Sequence, residues 1–164
     1  MSANRTKPER ATVKLELTVQ KAVNSPGLPS KASLRRWLAA ALARSAAITV
    51  RFVGVAEGRA LNRAYRNRDY ATNVLSFGYG SERRTRMLAG DVVLCAPVLR
   101  REARAQGKAL TAHAAHLTVH GALHLQGHDH QEPRAAARME ALEAKILAKL
   151  GYADPYRDVP DERR

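Results

Sequence analysis

The 164-residue sequence has a single cysteine and few aromatic residues. One cysteine excludes an intramolecular disulfide framework and fits a reducing cytoplasm. Because Cys95 follows the apolar run 92–94, we expect a small buried strand residue rather than a nucleophile. Aromatic residues make up 5% of the chain, so its core must consist mainly of Leu, Val, Ile and Ala.

Long apolar runs are also missing, although hydrophobic residues make up 45% of the chain. No segment approaches the ~20 apolar residues of a membrane span, and the polar residues 1–10 lack the apolar core of a signal peptide. We therefore expect a cytoplasmic protein without membrane contact. With no repeat and no linker, residues 12–156 should form a single domain between a disordered basic leader, 1–11, and a flexible tail, 157–164.

Acidic residues are scarce relative to basic ones. The chain has 28 Lys and Arg against 15 Asp and Glu, a net charge of +13. An excess of this size favours a polyanionic partner such as a nucleic acid. The Arg- and Ala-rich composition typical of a GC-rich genome would give the same excess without selection for binding, so the charge alone leaves both explanations open.

The order of predicted elements indicates an α+β fold, a small mixed β-sheet covered by helices. Strands come early and the longest helices come late, which is typical of this class. Alternation and β-branched runs predict strands at 12–20, 48–53, 74–77 and 91–94. Helical periodicity, caps and breakers predict helices at about 30–45, 57–66, 97–106, 110–126 and 133–150, with Trp37 in the core. Residues 81–86 read as a charged loop.

The helix at 57–66 carries both an apolar and a basic pattern. We expect Leu61, Ala64 and Tyr65 to face inward. Arg59, Arg63 and Arg66 recur at helical spacing, as a solvated face or as a row that grips phosphates.

A histidine-rich stretch, residues 120–130, ends the long central helix. His120 and His124 lie four residues apart, so a helix presents both imidazoles on one face, where they can share a metal ion. A continuing helix would carry His130 ~15 Å along the axis from His120, so the chain must fold back. Gly127 can take the left-handed conformation that ends helices. The pattern predicts a site with three histidine ligands and an open fourth position.

Other histidines could compete for the same role. His116 and His113 fall near the same stripe, and we interpret His116 as lining the groove behind the ligands and His113 as more distant. His128 follows the glycine and is expected to face solvent, since His130 is available. The alternative to a metal site is a His-rich, partly buried helix end.

Several stretches together resemble the YbeY family of bacterial endoribonucleases, over residues 12–156. The residues that carry the resemblance are His120-Gly-x-Leu-His124-Leu-x-Gly127-x-Asp129-His130, Leu61-Asn62-x-x-Tyr65-Arg66, Thr72-Asn73-Val74-Leu75-Ser76-Phe77, Gly90-Asp91-Val92 and Met139-Glu140.

The resemblance implies one zinc ion per chain, held by His120, His124 and His130. It implies cleavage of single-stranded RNA, maturation of ribosomal RNA, notably the small-subunit 3′ end, and ribosome quality control. Ribosomal proteins or an assembly GTPase would be the further partners. The matching arginine, Arg66, lies beside the site in the family and is needed for its activity. One departure is Asn73, where many members have Asp; we interpret Asn73 as a hydrogen-bonding residue that fixes a loop.

The predicted catalytic residues are therefore Arg66, His120, His124 and His130. Arg66 would pair with the scissile phosphate, and the nucleophile stays open between a metal-activated water and the RNA 2′-hydroxyl. Asp129 would orient a ligand histidine or cap the turn. Two other functions remain: a zinc peptidase, which would need a base where this chain has Gly121, and a non-catalytic RNA-binding ribosome-assembly factor with structural zinc.

Overall fold

The computed structural model describes residues 13–81 and 87–157. The predicted leader 1–11, most of the predicted loop 81–86 and most of the predicted tail 157–164 lie outside the described residues. The described strands are β1 (Leu15–Lys21), β2 (Ala46–Val53), β3 (Val74–Ser81) and β4 (Leu88–Cys95). The described helices are α1 (Lys31–Ala41), α2 (Val55–Arg66), α3 (Ala96–Ala105), α4 (Leu110–Leu125) and α5 (Pro133–Leu150).

The four strands form one mixed sheet in the order β1-β2-β4-β3. β1 pairs with β2 and β2 with β4 in parallel, whereas β3 runs antiparallel to β4. The predicted α+β class, with a small mixed sheet and helices over it, is confirmed. Three strands extend a few residues beyond their predicted limits, and α1 ends at Ala41 rather than near Ser45.

Alternate residues of the central strands feed two cores on opposite faces of the sheet. Val92 and Leu94 of β4 join the larger core, which also contains residues of α1, α4 and α5. Val93 and Cys95 join the smaller core, on the α2 side. Trp37 is fully buried in the larger core, and Cys95 is buried in the smaller one, as predicted. Within the described part of the chain, no helix is long and apolar enough to cross a membrane.

Helix α4 lies very close to the sheet because one of its residues has no side chain. A methyl group on Gly121 would lie 2.9 Å from Val92 Cγ1 and 3.1 Å from Ser76 Oγ. Ser76 Oγ also donates a hydrogen bond to the Gly121 carbonyl at 3.2 Å. The position next to His120 therefore cannot hold a larger residue without a shift of Val92 or of the helix.

The predicted inward face of α2 is wrong in part. Tyr65 is 67% exposed and Ala64 is exposed, while Leu61 is only partly buried. The residues that α2 buries are instead Gly58 and Asn62. A methyl group on Gly58 would lie 3.3 Å from Cys95 Sγ, so the helix approaches β4 at its glycine, and this rotation leaves Tyr65 in solvent.

Candidate metal centre

Helix α4 exposes a single stripe of histidines. Between His113 and His124 every residue is buried except His116, His120 and His124, which are half-buried. These three positions are spaced four apart and so lie on one helical face. The two nearest the C-terminal end of the helix, His120 and His124, have ring centroids 4.7 Å apart.

The third histidine reaches this face because the chain reverses after α4, as predicted. Gly127 has φ +92°, a left-handed conformation that suits glycine. The amide of Gly127 donates to the His124 carbonyl at 3.0 Å, and the amide of His128 donates to the Leu123 carbonyl at 3.1 Å. This pair of bonds is the Schellman motif. Asp129 Oδ1 then accepts the amide of Gln131 at 2.9 Å, which stabilises the turn.

The reversal brings three imidazoles to one point. One nitrogen from each of His120, His124 and His130 lies within 4.8 Å of the others. The His130 ring centroid lies 4.8 Å from that of His124 and 5.4 Å from that of His120. Imidazole nitrogens gathered in this way are a donor set that can hold a zinc ion or another transition metal.

Behind the three histidines lies a buried carboxylate, Glu143 of α5, which is 0% exposed. Its Oε1 contacts His120 Nδ1, and its Oε2 contacts the Tyr156 hydroxyl and, at 3.0 Å, His116 Nε2. An ionised carboxylate can only accept hydrogen bonds, so His120 Nδ1 carries a proton. The lone pair of His120 is then on Nε2, which makes Nε2 its available ligand atom.

The pKa values of these groups fit a ligand set that is ready for a metal. Burial acts to raise the pKa of Glu143, but the hydrogen bonds from His116, His120 and Tyr156 outweigh it and lower that pKa to about 2. Burial, with repulsion from His120 and His130, lowers the pKa of His124 to about 4. His124 is therefore neutral near pH 7, as a metal ligand must be.

Tyr156 closes the network from the residues that follow α5. Burial and then its hydrogen bond to Glu143 raise the pKa of Tyr156 far above its usual range. Its hydroxyl therefore stays protonated and donates to the carboxylate. The sequence reading missed both Glu143 and Tyr156. A signal for Glu143 was present, because it interrupts the buried stripe of α5 formed by Met139, Ile146 and Leu147.

The remaining candidate residues take supporting or peripheral positions. His116 contacts Glu143 behind the ligands, as expected, and His128 is exposed. His113 is buried and contacts Glu102 Oε1 at 3.0 Å. Asn73 donates through Nδ2 to Glu102 at 3.0 Å and accepts the Val74 amide at 2.7 Å. The interpretation of Asn73 as a residue that fixes its loop is confirmed.

A cavity of about 350 Å³ opens in front of the histidines, and basic side chains line it together with Asp129. Arg66 and Arg68 are the basic residues of this lining. Arg66 Nη2 donates to the Ser76 carbonyl at 3.1 Å, which holds its guanidinium at the cavity wall. Arg59, by contrast, pairs with Asp69 at 2.8 and 2.9 Å. Of the three arginines of α2, only Arg66 is in the lining of the histidine cavity.

The fold and this site define an α+β protein with a candidate metal centre that opens on an arginine-lined cavity. Residues 15–151 match the family model described as Endoribonuclease YbeY. The chain belongs to the YbeY family.

Relatives cover nearly all of the chain. An Endoribonuclease YbeY from Aromatoleum aromaticum is 57% identical over 151 residues, which cover 90% of this chain and 96% of that protein. One from Thiobacillus denitrificans is 56% identical over 142 residues, covering 87% and 96%. The solution structure of TM1509 from Thermotoga maritima superposes with a TM-score of 0.51 at 19% identity, covering 92% of this chain and 99% of that one. This last similarity shows the shared fold alone.

Proposed function

We propose that this protein is a zinc-dependent endoribonuclease that cuts single-stranded RNA. Membership of the YbeY family supports RNA as the substrate. The observation that carries the proposal is the convergence of His120, His124 and His130 at a cavity that Arg66 also lines. A metal ion and a guanidinium that face the same cavity can together bind a phosphate group and polarise it.

Zinc suits this donor set because imidazole nitrogens are among its usual protein ligands and because Glu143 fixes the tautomer of His120. Within residues 13–81 and 87–157, no fourth ligating side chain joins the cluster. Structural zinc sites have four protein ligands, whereas catalytic sites have three. The ligand count therefore favours catalysis over a purely structural role.

The chain's own residues would divide the work between holding and orienting. His120, His124 and His130 hold the ion, which when bound supplies Lewis-acid activation of the phosphodiester. Arg66, fixed by the Ser76 carbonyl, binds the non-bridging oxygens of the scissile phosphate and offsets the charge that develops on them. Asp129 acts by holding the turn that carries His130.

The other two functions are less well supported. A peptidase of the His-Glu-x-x-His type needs a glutamate beside the first histidine. That position is Gly121, where even a methyl group would lie 2.9 Å from Val92 Cγ1. A non-catalytic ribosome-assembly factor would share the basic charge and the RNA affinity, but it would not need an open ligand position.

We extend the substrate to ribosomal RNA precursors, with the small-subunit 3′ end as the cut region, and to ribosome quality control in the cytoplasm. The net charge of +13 is compatible with ribosomal RNA as a polyanionic partner, and ribosomal proteins or an assembly GTPase would be further partners. Depletion of the protein should then leave small-subunit RNA with an unprocessed 3′ end.

The direct test is cleavage of an RNA hairpin that has a single-stranded 3′ extension. Zinc-loaded protein should cut only the extension, and His124→Ala should not cut. Arg66→Ala should keep its zinc and lose about 100-fold or more in rate, as for removal of one oxyanion donor. Arg59→Ala is the matched control, since it removes an arginine of the same helix that is paired with Asp69. Loss of zinc from Arg66→Ala would contradict the role given to Arg66, and tight RNA binding without cutting would favour the assembly factor.

A further inference from the structure

A second cavity, of about 560 Å³, adjoins the histidine cavity. Arg66 and Ser76 line both cavities, so the two meet at the guanidinium that is proposed to hold the scissile phosphate. Its walls come from α2, β2, β3 and β4. None of the three histidines of the metal centre lines it.

Aromatic side chains are concentrated around this second cavity. The chain has only two Phe, five Tyr and one Trp, yet Tyr65, Phe77 and Tyr79 all line it. Tyr65 and Tyr79 are each 67% exposed. Phe77 supports Tyr65 through an edge contact with ring centroids 5.0 Å apart. Aromatic faces left in solvent next to the arginine-lined histidine cavity are typical of surfaces on which nucleobases stack.

Away from its border, the charged side chains of this cavity hydrogen-bond to other residues of its lining. Arg51 and Glu57 form two hydrogen bonds, at 2.6 and 2.8 Å. Asp91 accepts the Tyr79 hydroxyl at 2.5 Å. Two carboxylates in the wall disfavour a phosphate there, whereas a neutral heterocycle can stack on the rings and hydrogen-bond to the paired groups. Arg66 at the border remains for the phosphate attached to that base.

We propose that this cavity binds one unpaired nucleobase of the RNA strand, next to the phosphate held by Arg66, with Tyr65 and Tyr79 as its stacking surfaces. The inference rests on the proposed endoribonuclease function and deepens it. A base that enters the cavity cannot stay paired, because its face lies on an aromatic ring and its edge points into the protein. The cavity thus supplies a physical reason for selecting single-stranded RNA.

The test compares zinc-loaded wild-type protein with Tyr65→Ala, Tyr79→Ala and Tyr65→Phe in single-turnover cleavage of the RNA with the 3′ extension. The half-saturating protein concentration should rise about tenfold or more in the two alanine variants, as expected for loss of one base–aromatic stack. Tyr65→Phe should keep the half-saturating concentration of the wild type, because the aromatic ring is kept. Tyr70→Ala is the matched control, since Tyr70 is 56% exposed and does not line the cavity.

A substrate with one abasic nucleotide beside the cut site tests the same contact from the RNA side. It should weaken saturation of the wild type at least as much as Tyr65→Ala does, because it removes the stacks on both tyrosines. On this substrate Tyr65→Ala should add little further loss, since its stack is already gone. Wild-type saturation by both alanine variants would overturn the base site and leave zinc-dependent cleavage standing. The base site would also be overturned if the two alanine variants cleaved RNA with wild-type kinetics but no longer bound ribosomal small subunits. That result would indicate a protein-docking surface instead.

Failure of the proposed function gives a different pattern. If the wild type cuts no RNA, anisotropy of a fluorescein-labelled unpaired octanucleotide replaces cleavage as the readout. Weaker binding by Tyr65→Ala than by Tyr70→Ala would then support the base site, and equal binding would overturn it.

Discussion

Replacement of Glu143 by Gln should weaken zinc binding at the three histidines. The ionised carboxylate of Glu143 accepts from three donors, His120 Nδ1, His116 Nε2 and the Tyr156 hydroxyl. A glutamine amide has one accepting oxygen and one donating nitrogen. If the oxygen serves His116 and Tyr156, the amide nitrogen faces His120 and favours the tautomer with its proton on Nε2, the atom needed for the metal.

The expected loss follows from this change of tautomer. Removing the hydrogen-bond partner of a ligand histidine typically lowers metal affinity by about 10- to 100-fold, which corresponds to ~1.4–2.8 kcal/mol of binding free energy. The metal-free protein should also lose ~1–3 kcal/mol of stability, because hydrogen bonds to an ionised carboxylate are replaced by weaker bonds to a neutral amide. Glu143 is 0% exposed, so water does not compensate for this loss.

The assay is competition for zinc between the protein and a chromophoric chelator, with urea denaturation of the metal-free protein beside it. Glu140→Gln is the matched control, since it removes the same charge from an exposed position of α5. We expect wild-type zinc affinity in the control and the loss only in Glu143→Gln. Equal affinity in the two variants would refute the view that Glu143 sets the tautomer of His120.

Three further predictions concern stability and reactivity. Gly121→Ala should lose ~1–3 kcal/mol in urea denaturation through overpacking, whereas Gly78→Ala, whose new methyl group lies 3.8 Å from the nearest atom, should not; equal stability would contradict the close helix–sheet contact. Burial raises the pKa of the Cys95 thiol, so a disulfide reagent should modify it only on unfolding, and rapid reaction of the native protein would show that it is accessible. The hydrogen bond from Arg51 lowers the pKa of Glu57, so ionised Glu57 stabilises the fold. Glu57→Gln should therefore cost up to ~1 kcal/mol at pH 7, with the difference from wild type fading as the pH falls below ~4; a difference independent of pH would argue against the ion pair.

The arrangement of the three histidines could be predicted from the sequence because local rules determine it. Helical spacing places His120 and His124 on one face, and Gly127 supplies the reversal that returns His130. Both rules act within eleven residues, so no knowledge of the rest of the fold is needed. The order of elements likewise indicated the fold class, because strand and helix periods differ.

Features that depend on contacts between distant elements could not be predicted. Glu143 reaches His120 from another helix, 23 residues away, and Tyr156 reaches Glu143 and His116 from the chain beyond α5. The orientation of α2 depends on the contact of Gly58 with β4, which apolar periodicity does not encode. That periodicity assigned Tyr65 to the core, and the structure instead exposes it at the second cavity.

The most direct test of the central claim is a zinc titration of the metal-free protein, with bound zinc and cleavage of the single-stranded 3′ extension measured in the same samples. Cleavage should rise in proportion to bound zinc and level off at one ion per chain, while His124→Ala stays inactive throughout. Full cleavage by the metal-free protein, or saturation with zinc without any cleavage, would contradict the assignment of His120, His124 and His130 as the metal centre of a ribonuclease.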